Sequence, residues 1–283
     1  MYNLRYHIAS LVAVFLALAI GLVLGGLVVR QGAFDTQQRA LVTSLQSQFS
    51  KLKKDNTSLR AMIALQDPYA SQMTDDWVGG RLVGRSAVVL TSGGKDEGLD
   101  AAVSAVKAAG GTPAIVTILK PGMGLSISSV ASATASVLGT DSGPPSSADV
   151  AKQLQAEWSG TKGSRPLTTA LVNAGAIKVS GLSGSAIATQ AIDIAAFNGD
   201  PDAVALDIAQ AYASAGMFAL GAQTFGSDTG VAAAASARQL SAFDTLGTSA
   251  GRFTLVALFS GGQQGYYSVT ARGATPFPPV PQP

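Results

Sequence analysis

The sequence predicts an α/β protein held at a membrane: an N-terminal transmembrane helix and a coiled coil, then a mostly parallel, helix-covered sheet in a doubly wound arrangement. Three observations predict it. Residues 8–29 form a run of 22 without a charge. Residues 42–63 repeat apolar side chains at heptad spacing. Beyond residue 85, short β-branched runs alternate with stretches of helix length, the pattern of a parallel sheet covered by helices. The expected divisions are an anchor at 1–30, a coiled coil at 31–67, a linker at 68–84, an α/β domain at 85–273 and a Pro-rich flexible tail at 274–283.

The first run, IASLVAVFLALAIGLVLGGLVV, spans about 33 Å as a helix, against a hydrocarbon core of about 30 Å. A signal-peptide core is shorter, about 7–15 residues, and ends at a small-x-small site. This run ends at Val28-Val29-Arg30 and reads as an uncleaved anchor. Arg5 flanks one end; Arg30 and Arg39, offset by Asp35, flank the other, so the charge bias is slight. The expected topology is a single pass of the cell membrane, N-terminus cytoplasmic and body outside. Ala9, Ala13, Ala17, Gly21 and Gly25 recur every four residues. Small side chains let two helix backbones approach closely in lipid, so Ala17, Gly21 and Gly25 are the expected packing positions.

Residues 35–66 change period. Val42, Phe49, Asn56 and Ile63 fall seven apart, and Leu45, Leu52 and Leu59 follow three residues behind. That is an a/d seam with Leu at every d position, the pattern of a parallel dimer. Asn56 is the one polar a residue and would set register at some cost in stability. Asp55 at g faces Arg60 at e of a partner helix. The seam predicts a homodimer and, if helical to Gln66, lifts the next domain about 48 Å from the bilayer. Asp67-Pro68 is expected to end the helix, because the residue before proline is disfavoured there.

In the α/β region, SAVVLT (86–91) and TPAIVTIL (112–119) read as buried strands. Between them lies a helix, 96–109, with Leu99, Val103 and Val106 on its apolar face and Gly110-Gly111 as its stop. Residues 126–138, 148–158 and 167–174 read as helices, and 177–179 as a short strand. AIDIAAF (191–197) reads as a strand, followed by Asp200-Pro201 as N-cap and first helical residue. Val204, Ile208, Ala211, Tyr212 and Ala215 then line one helix face. MFALGAQ (217–223) is another strand; 232–240 and 251–260 are helices. Four or five strands result.

The chemistry is bounded by what is scarce. Lys and Arg number 19 against 17 Asp and Glu, a net charge of +2, which argues against a nucleic-acid partner. There is no cysteine, and the one histidine, His7, sits at the membrane edge, so disulfides, thiolate metal sites and His-based triads are unavailable to the body. The loop Thr91-Ser92-Gly93-Gly94-Lys95-Asp96-Glu97-Gly98 is Gly-rich but lacks phosphate-binding spacing. Gly181-Leu182-Ser183-Gly184-Ser185 resembles a nucleophile elbow with its second glycine misplaced. Met1, Met62, Met73, Met123 and Met217 are scattered. Arg81 and Arg85 read as a solvated face. No catalytic, cofactor or metal residue is expected, and the protein reads as a non-enzyme.

MYNLRYHIASLVAVFLALAIGLVLG followed by the heptads resembles the start of the actinobacterial MctB-type copper transport proteins. Phe243-Asp244-Thr245-Leu246-Gly247-Thr248-Ser249-Ala250-Gly251-Arg252, running through Ala257-Leu258 to Gly261-Gly262-Gln263-Gln264-Gly265-Tyr266-Tyr267, is similar to that family's end. The resemblance implies copper homeostasis, as a channel-like protein of the outer envelope, with copper a candidate ligand by that resemblance only. Its SteB branch implies instead a membrane-anchored coiled coil that works with a partner to control cell-wall hydrolysis at division. A third expectation is a transport accessory or small-ligand sensor using the carboxyl edge of the sheet.

Overall fold

The computed structural model describes residues 4–30, 33–92, 96–140, 145–160, 163–182, 188–192, 201–226 and 230–280. The chain divides into two compact units, Met1–Gln66 and Asp67–Pro283.

The first unit is helical. Helix α1, Leu4–Arg30, contains a span Leu4–Leu27 of mean hydropathy 2.7. By length and composition it fits a single-pass membrane anchor, and its described side chains are all exposed. Helix α2, Ala33–Val78, begins in this unit and continues into the next.

That continuation corrects one expectation. Asp67-Pro68 does not end the helix: Pro68 lies inside α2, and residues 68–78, expected as linker, are helical. An interior proline removes one backbone hydrogen bond and costs about 3 kcal/mol. Packing beyond it compensates. Thr74 and Val78, one turn apart, are buried; Trp77 stacks on Phe253 with ring centroids 4.6 Å apart; and Asp75 pairs with Arg252. The true connection is the turn 79–84, where the Leu82 N–H donates to Ala109 O at 2.7 Å. Gly80 and Gly84 there hold φ of +76° and +75°.

The sheet has seven strands: β1 Ser86–Ser92, β2 Thr112–Ile118, β3 Ile177–Ser180, β4 Ala188–Ile192, β5 Phe218–Thr224, β6 Ser241–Leu246 and β7 Tyr266–Tyr267. Their order is β3-β2-β1-β4-β5-β6-β7, antiparallel only between β2 and β3. From β1 the chain steps outward to β2 and β3, then returns past β1 to β4 and moves to the opposite edge. The doubly wound, mostly parallel class is therefore as expected, with two more strands. β6 was not expected because Ser241, Asp244 and Thr245 interrupt its apolar pattern, yet all six of its residues are buried.

Helices cover both faces. On one lie α4 Ser128–Leu138, α5 Ser147–Ser159, α6 Pro166–Asn173, α7 Ala203–Ser214 and α8 Val231–Ala237, around Leu90, Val116, Leu154, Trp158 and Tyr212. On the other lie α3 Asp96–Ala108, α9 Ser249–Phe259 and the end of α2, around Val89, Val106, Phe243 and Leu255. Burial of a parallel sheet on both sides accounts for its apolar strands. The connections through α8 and α9 step the same way across the sheet on opposite faces, so they differ in hand, although about 98% of such crossovers are right-handed. The turn into α9 is tight: Gly247 has φ +90°, Thr248 Oγ1 accepts the Gly251 N–H at 3.0 Å, and a Cβ at Gly251 would overlap the Thr245 carbonyl.

Three further details differ from expectation. The N-cap of α7 is Asp202, whose Oδ1 accepts the Val204 and Ala205 N–H groups at 3.0 and 3.2 Å; Pro201 lies before the cap. Of the strand expected at 191–197, β4 holds residues 191 and 192, and 193–197 lie outside the described residues. The tail expected to be flexible is docked as far as it is described. Ser268 N–H donates to Thr275 O at 2.9 Å, Phe277 meets Phe253 edge-on at 6.3 Å, and Pro278 is buried. Proline rings bury apolar surface without needing a ladder partner, which suits such an extended segment.

Candidate functional site

The anchor and α2 carry the positions singled out by sequence. Ala17, Gly21 and Gly25 lie exposed on α1, and a Cβ added at either glycine would meet nothing within 4 Å. On α2, Val42, Leu45, Phe49, Leu52 and Leu59 are between 50 and 69% exposed, and Asn56 is exposed beside them. Ile63 lies in α2, its side chain outside the described residues. The seam is thus one uncovered helical stripe. Each of its described apolar side chains is exposed in the single chain.

The α2 end is a different kind of place. The Arg81 guanidinium stacks on Trp77 at 3.9 Å from the ring centroid and donates from Nε to Trp77 O at 2.7 Å. Arg85 donates from Nη1 to Phe259 O. Both arginines are exposed, as expected of a solvated face; Arg81 packs back on the end of α2, and Arg85 ties the start of β1 to the end of α9.

Ligands of doubly wound sheets favour the carboxyl ends of strands, above all where the chain reverses direction. That point lies between β1 and β4, and residues 93–95 and 193–200, which follow them, are outside the described residues. So are Ser183, Gly184 and Ser185 of the elbow-like motif. Beside it, the loop after β2 turns through Gly122, Met123 and Gly124, all at positive φ, with Met123 at +54° fully buried. Asp202 holds this loop: its Oδ2 accepts the Gly122 N–H at 2.7 Å. Lys120 caps from the other side, donating to Ala174 O at 2.9 Å.

Two other buried acids serve as anchors for backbone. Glu157, on α5, accepts the Leu167 N–H at 2.8 Å and the Thr168 N–H and hydroxyl at 2.9 and 2.7 Å. Asp244, on β6, accepts the Ser268 and Thr270 hydroxyls on Oδ2 at 2.5 and 2.7 Å, and the Val269 N–H on Oδ1 at 3.2 Å. Beside Asp244 a cleft of about 380 Å³ opens at the carboxyl ends of β5, β6 and β7, lined by Gln223, Asp244, Tyr266, Ala233 and Thr270 among others. In the sequence Asp244 stands out only as part of the Phe243–Arg252 segment, and no local pattern marks it as buried.

Burial raises the Tyr212 phenol well above its ordinary value, with the nearby Arg165 guanidinium pulling the other way. Tyr267 is raised by burial as well.

The donors expected of a copper site are dispersed. Met62 and Met73 are exposed on α2, Met123 is buried at the β2 loop, and Met217 receives only Gln155 Nε2 at 3.7 Å from its sulfur. His7 lies exposed on α1. Among the described residues no three His, Cys, Asp or Glu side chains converge. Soft metal ions favour clustered sulfur and imidazole ligands, which these residues do not form.

Two copper transporters MctB, of Mycobacterium tuberculosis and Mycobacterium bovis, are each 34% identical to this protein over 116 residues, which is 39% of this chain and 35% of theirs. The aligned stretch thus spans about a third of the length of those relatives. A family model described as "Copper transport outer membrane protein, MctB" matches residues 1–279, from the anchor to the docked tail, and the chain belongs to that family.

Proposed function

We propose that this protein is a non-catalytic, single-pass component of the cell envelope that acts in copper homeostasis, its N-terminus cytoplasmic and its α/β domain outside. The observation that carries the reading is the family match over residues 1–279, which includes the anchor as well as the domain. Copper enters through the family description and the relatives' names. The dispersed donors favour a role in which copper is cargo or signal, not a tightly held cofactor. An apolar α-helix followed by an open, helix-covered sheet suits a cell-membrane anchor. The test is deletion of the gene and complementation with the full chain, reading growth under graded copper and cell-associated copper by elemental mass spectrometry. Loss of tolerance restored by complementation is expected; unchanged tolerance and unchanged copper content would refute the reading.

The uncovered seam on α2 favours a second reading: a dimeric coiled-coil scaffold that binds an envelope or division protein and regulates cell-wall hydrolysis. The heptad spacing, Asn56 at an a position and the Asp55–Arg60 charge complement support a parallel homodimer. The chain has no cysteine, so Asn56→Cys introduces a single thiol. Disulfide-linked homodimers in membranes are expected. Their absence would remove the dimer, and photo-crosslinks from residues 42–63 that recover only this chain would remove the scaffold role.

A further inference from the structure

The cleft beside Asp244 has a chemistry that neither reading uses. Its volume of about 380 Å³ falls within the range typical of small-molecule sites, about 300–1,000 Å³. It lies at the carboxyl ends of parallel strands, where such sheets bind ligands. Asp244 is only 5% exposed, yet it lines the cleft. Its carboxylate is held on Oδ2 by the Ser268 and Thr270 hydroxyls and on Oδ1 by the Val269 N–H. A carboxylate offers about four acceptor positions, so one on Oδ1 remains after these three bonds. Ser268 Oγ in turn accepts the Thr270 and Ala271 N–H groups at 3.0 and 2.7 Å, which fixes the acceptor in place before any ligand arrives.

The other lining groups narrow the ligand. Gln223 Oε1 accepts the Ala232 N–H at 3.4 Å, which orients its amide. Tyr266 supplies an aromatic ring and a phenol. Among the described lining residues none is Lys or Arg, so phosphates and carboxylates lack the charge-assisted donors they need there. Among the described lining residues Asp244 is the one carboxylate, with no His or Cys beside it, which makes a poor cation site. Phe225 and Val269, chain neighbours of the lining, are 57 and 51% exposed and give the surroundings an apolar rim.

We propose that this cleft binds a small uncharged, hydroxyl-rich ligand of the sugar class, with one hydroxyl donating to Asp244 Oδ1 and the carbon face of the ring against Tyr266. The purified full chain in nanodiscs is presented with glucose and with N-acetylglucosamine, and saturation transfer to the sugar protons is read by NMR. Inorganic phosphate, read by calorimetry, and choline, read by the same saturation transfer, are the controls. Transfer to at least one sugar is expected. It should be lost in Ala233→Phe, which fills the cleft from an exposed position, and reduced in Tyr266→Phe, with melting temperature unchanged in both. No transfer to either sugar, transfer undiminished in Ala233→Phe, or binding of phosphate or choline in place of sugar would overturn the proposal.

Discussion

Glu157 offers the sharpest quantitative test of how the α/β body is held. Helix α6 starts with Pro166, which has no N–H, and its N-cap residue Arg165 provides no side-chain cap. The first free donors, Leu167 and Thr168 N–H, are buried and would be orphaned. Glu157 reaches across from α5 and accepts both, together with the Thr168 hydroxyl, which also accepts from Trp158 Nε1 at 3.0 Å. Replacing Glu157 with Ala leaves two buried N–H groups without acceptors, at about 1–3 kcal/mol each. Relief of the buried carboxylate's own desolvation offsets part of this, so a net loss of about 3 kcal/mol is expected. For a unit of this size that is a fall in Tm of about 6–12 °C. Glu157→Gln keeps one acceptor and turns an amide N–H toward Thr168, so its loss should lie between wild type and Glu157→Ala. The assay is thermal unfolding of the full chain in micelles, followed by circular dichroism and by tryptophan fluorescence. A shift below about 2 °C in Glu157→Ala would refute the reasoning.

Other outcomes follow from single residues. Tyr212 buries its hydroxyl without a hydrogen-bond partner among the described residues, so Tyr212→Phe should stabilise the fold by about 1 kcal/mol at neutral pH, measured by urea unfolding. Because burial raises its folded pKa above the ordinary 10.0, stability does not depend on Tyr212 ionisation below pH 10 and falls as pH rises further toward the folded pKa. Wild type should therefore lose stability in alkali faster than Tyr212→Phe; parallel pH curves would contradict this. Asn56→Leu should raise dimer stability and loosen register, read by analytical ultracentrifugation and disulfide trapping. An unchanged oligomeric state and melting would remove Asn56 from an a position. Gly251→Ala forces a Cβ into the Thr245 carbonyl and should cost about 1–3 kcal/mol or more in urea unfolding; a silent substitution would show that the turn into α9 can relax.

Much of this was legible in the sequence. The charge-free run became α1, and the strands at 86–91, 112–119 and 217–223 appear within a residue or two of their expected bounds. These are strong local patterns: long apolar runs, β-branched clusters and glycine stops. Val103, placed on the apolar face of α3, is only half-buried, because Ala102, Ala105 and Ala109 face the sheet and Ala carries little periodicity signal. The cap of α7 was placed two residues early because Asp200-Pro201 and Asp202 are locally equivalent signals; the Gly122 N–H that Asp202 also binds comes from a distant loop. The seam of Val42 to Ile63 rests on heptad spacing alone, since a single chain would contain only half of any such interface.

By itself the sequence determined an apolar helix long enough to cross a bilayer, a heptad stripe and an alternating α/β body, because each rests on side-chain periodicity within one element. Only the tertiary structure decided that α2 passes through Pro68, that Ser241–Leu246 is an interior strand and that the tail is docked. In each case local preference points one way and packing the other. Trp77 against Phe253, and Asp244 under Ser268 and Thr270, join residues far apart in the chain, and no local pattern records such contacts. The cleft beside Asp244 belongs to the same class: its walls come from four segments that meet only when the sheet is complete.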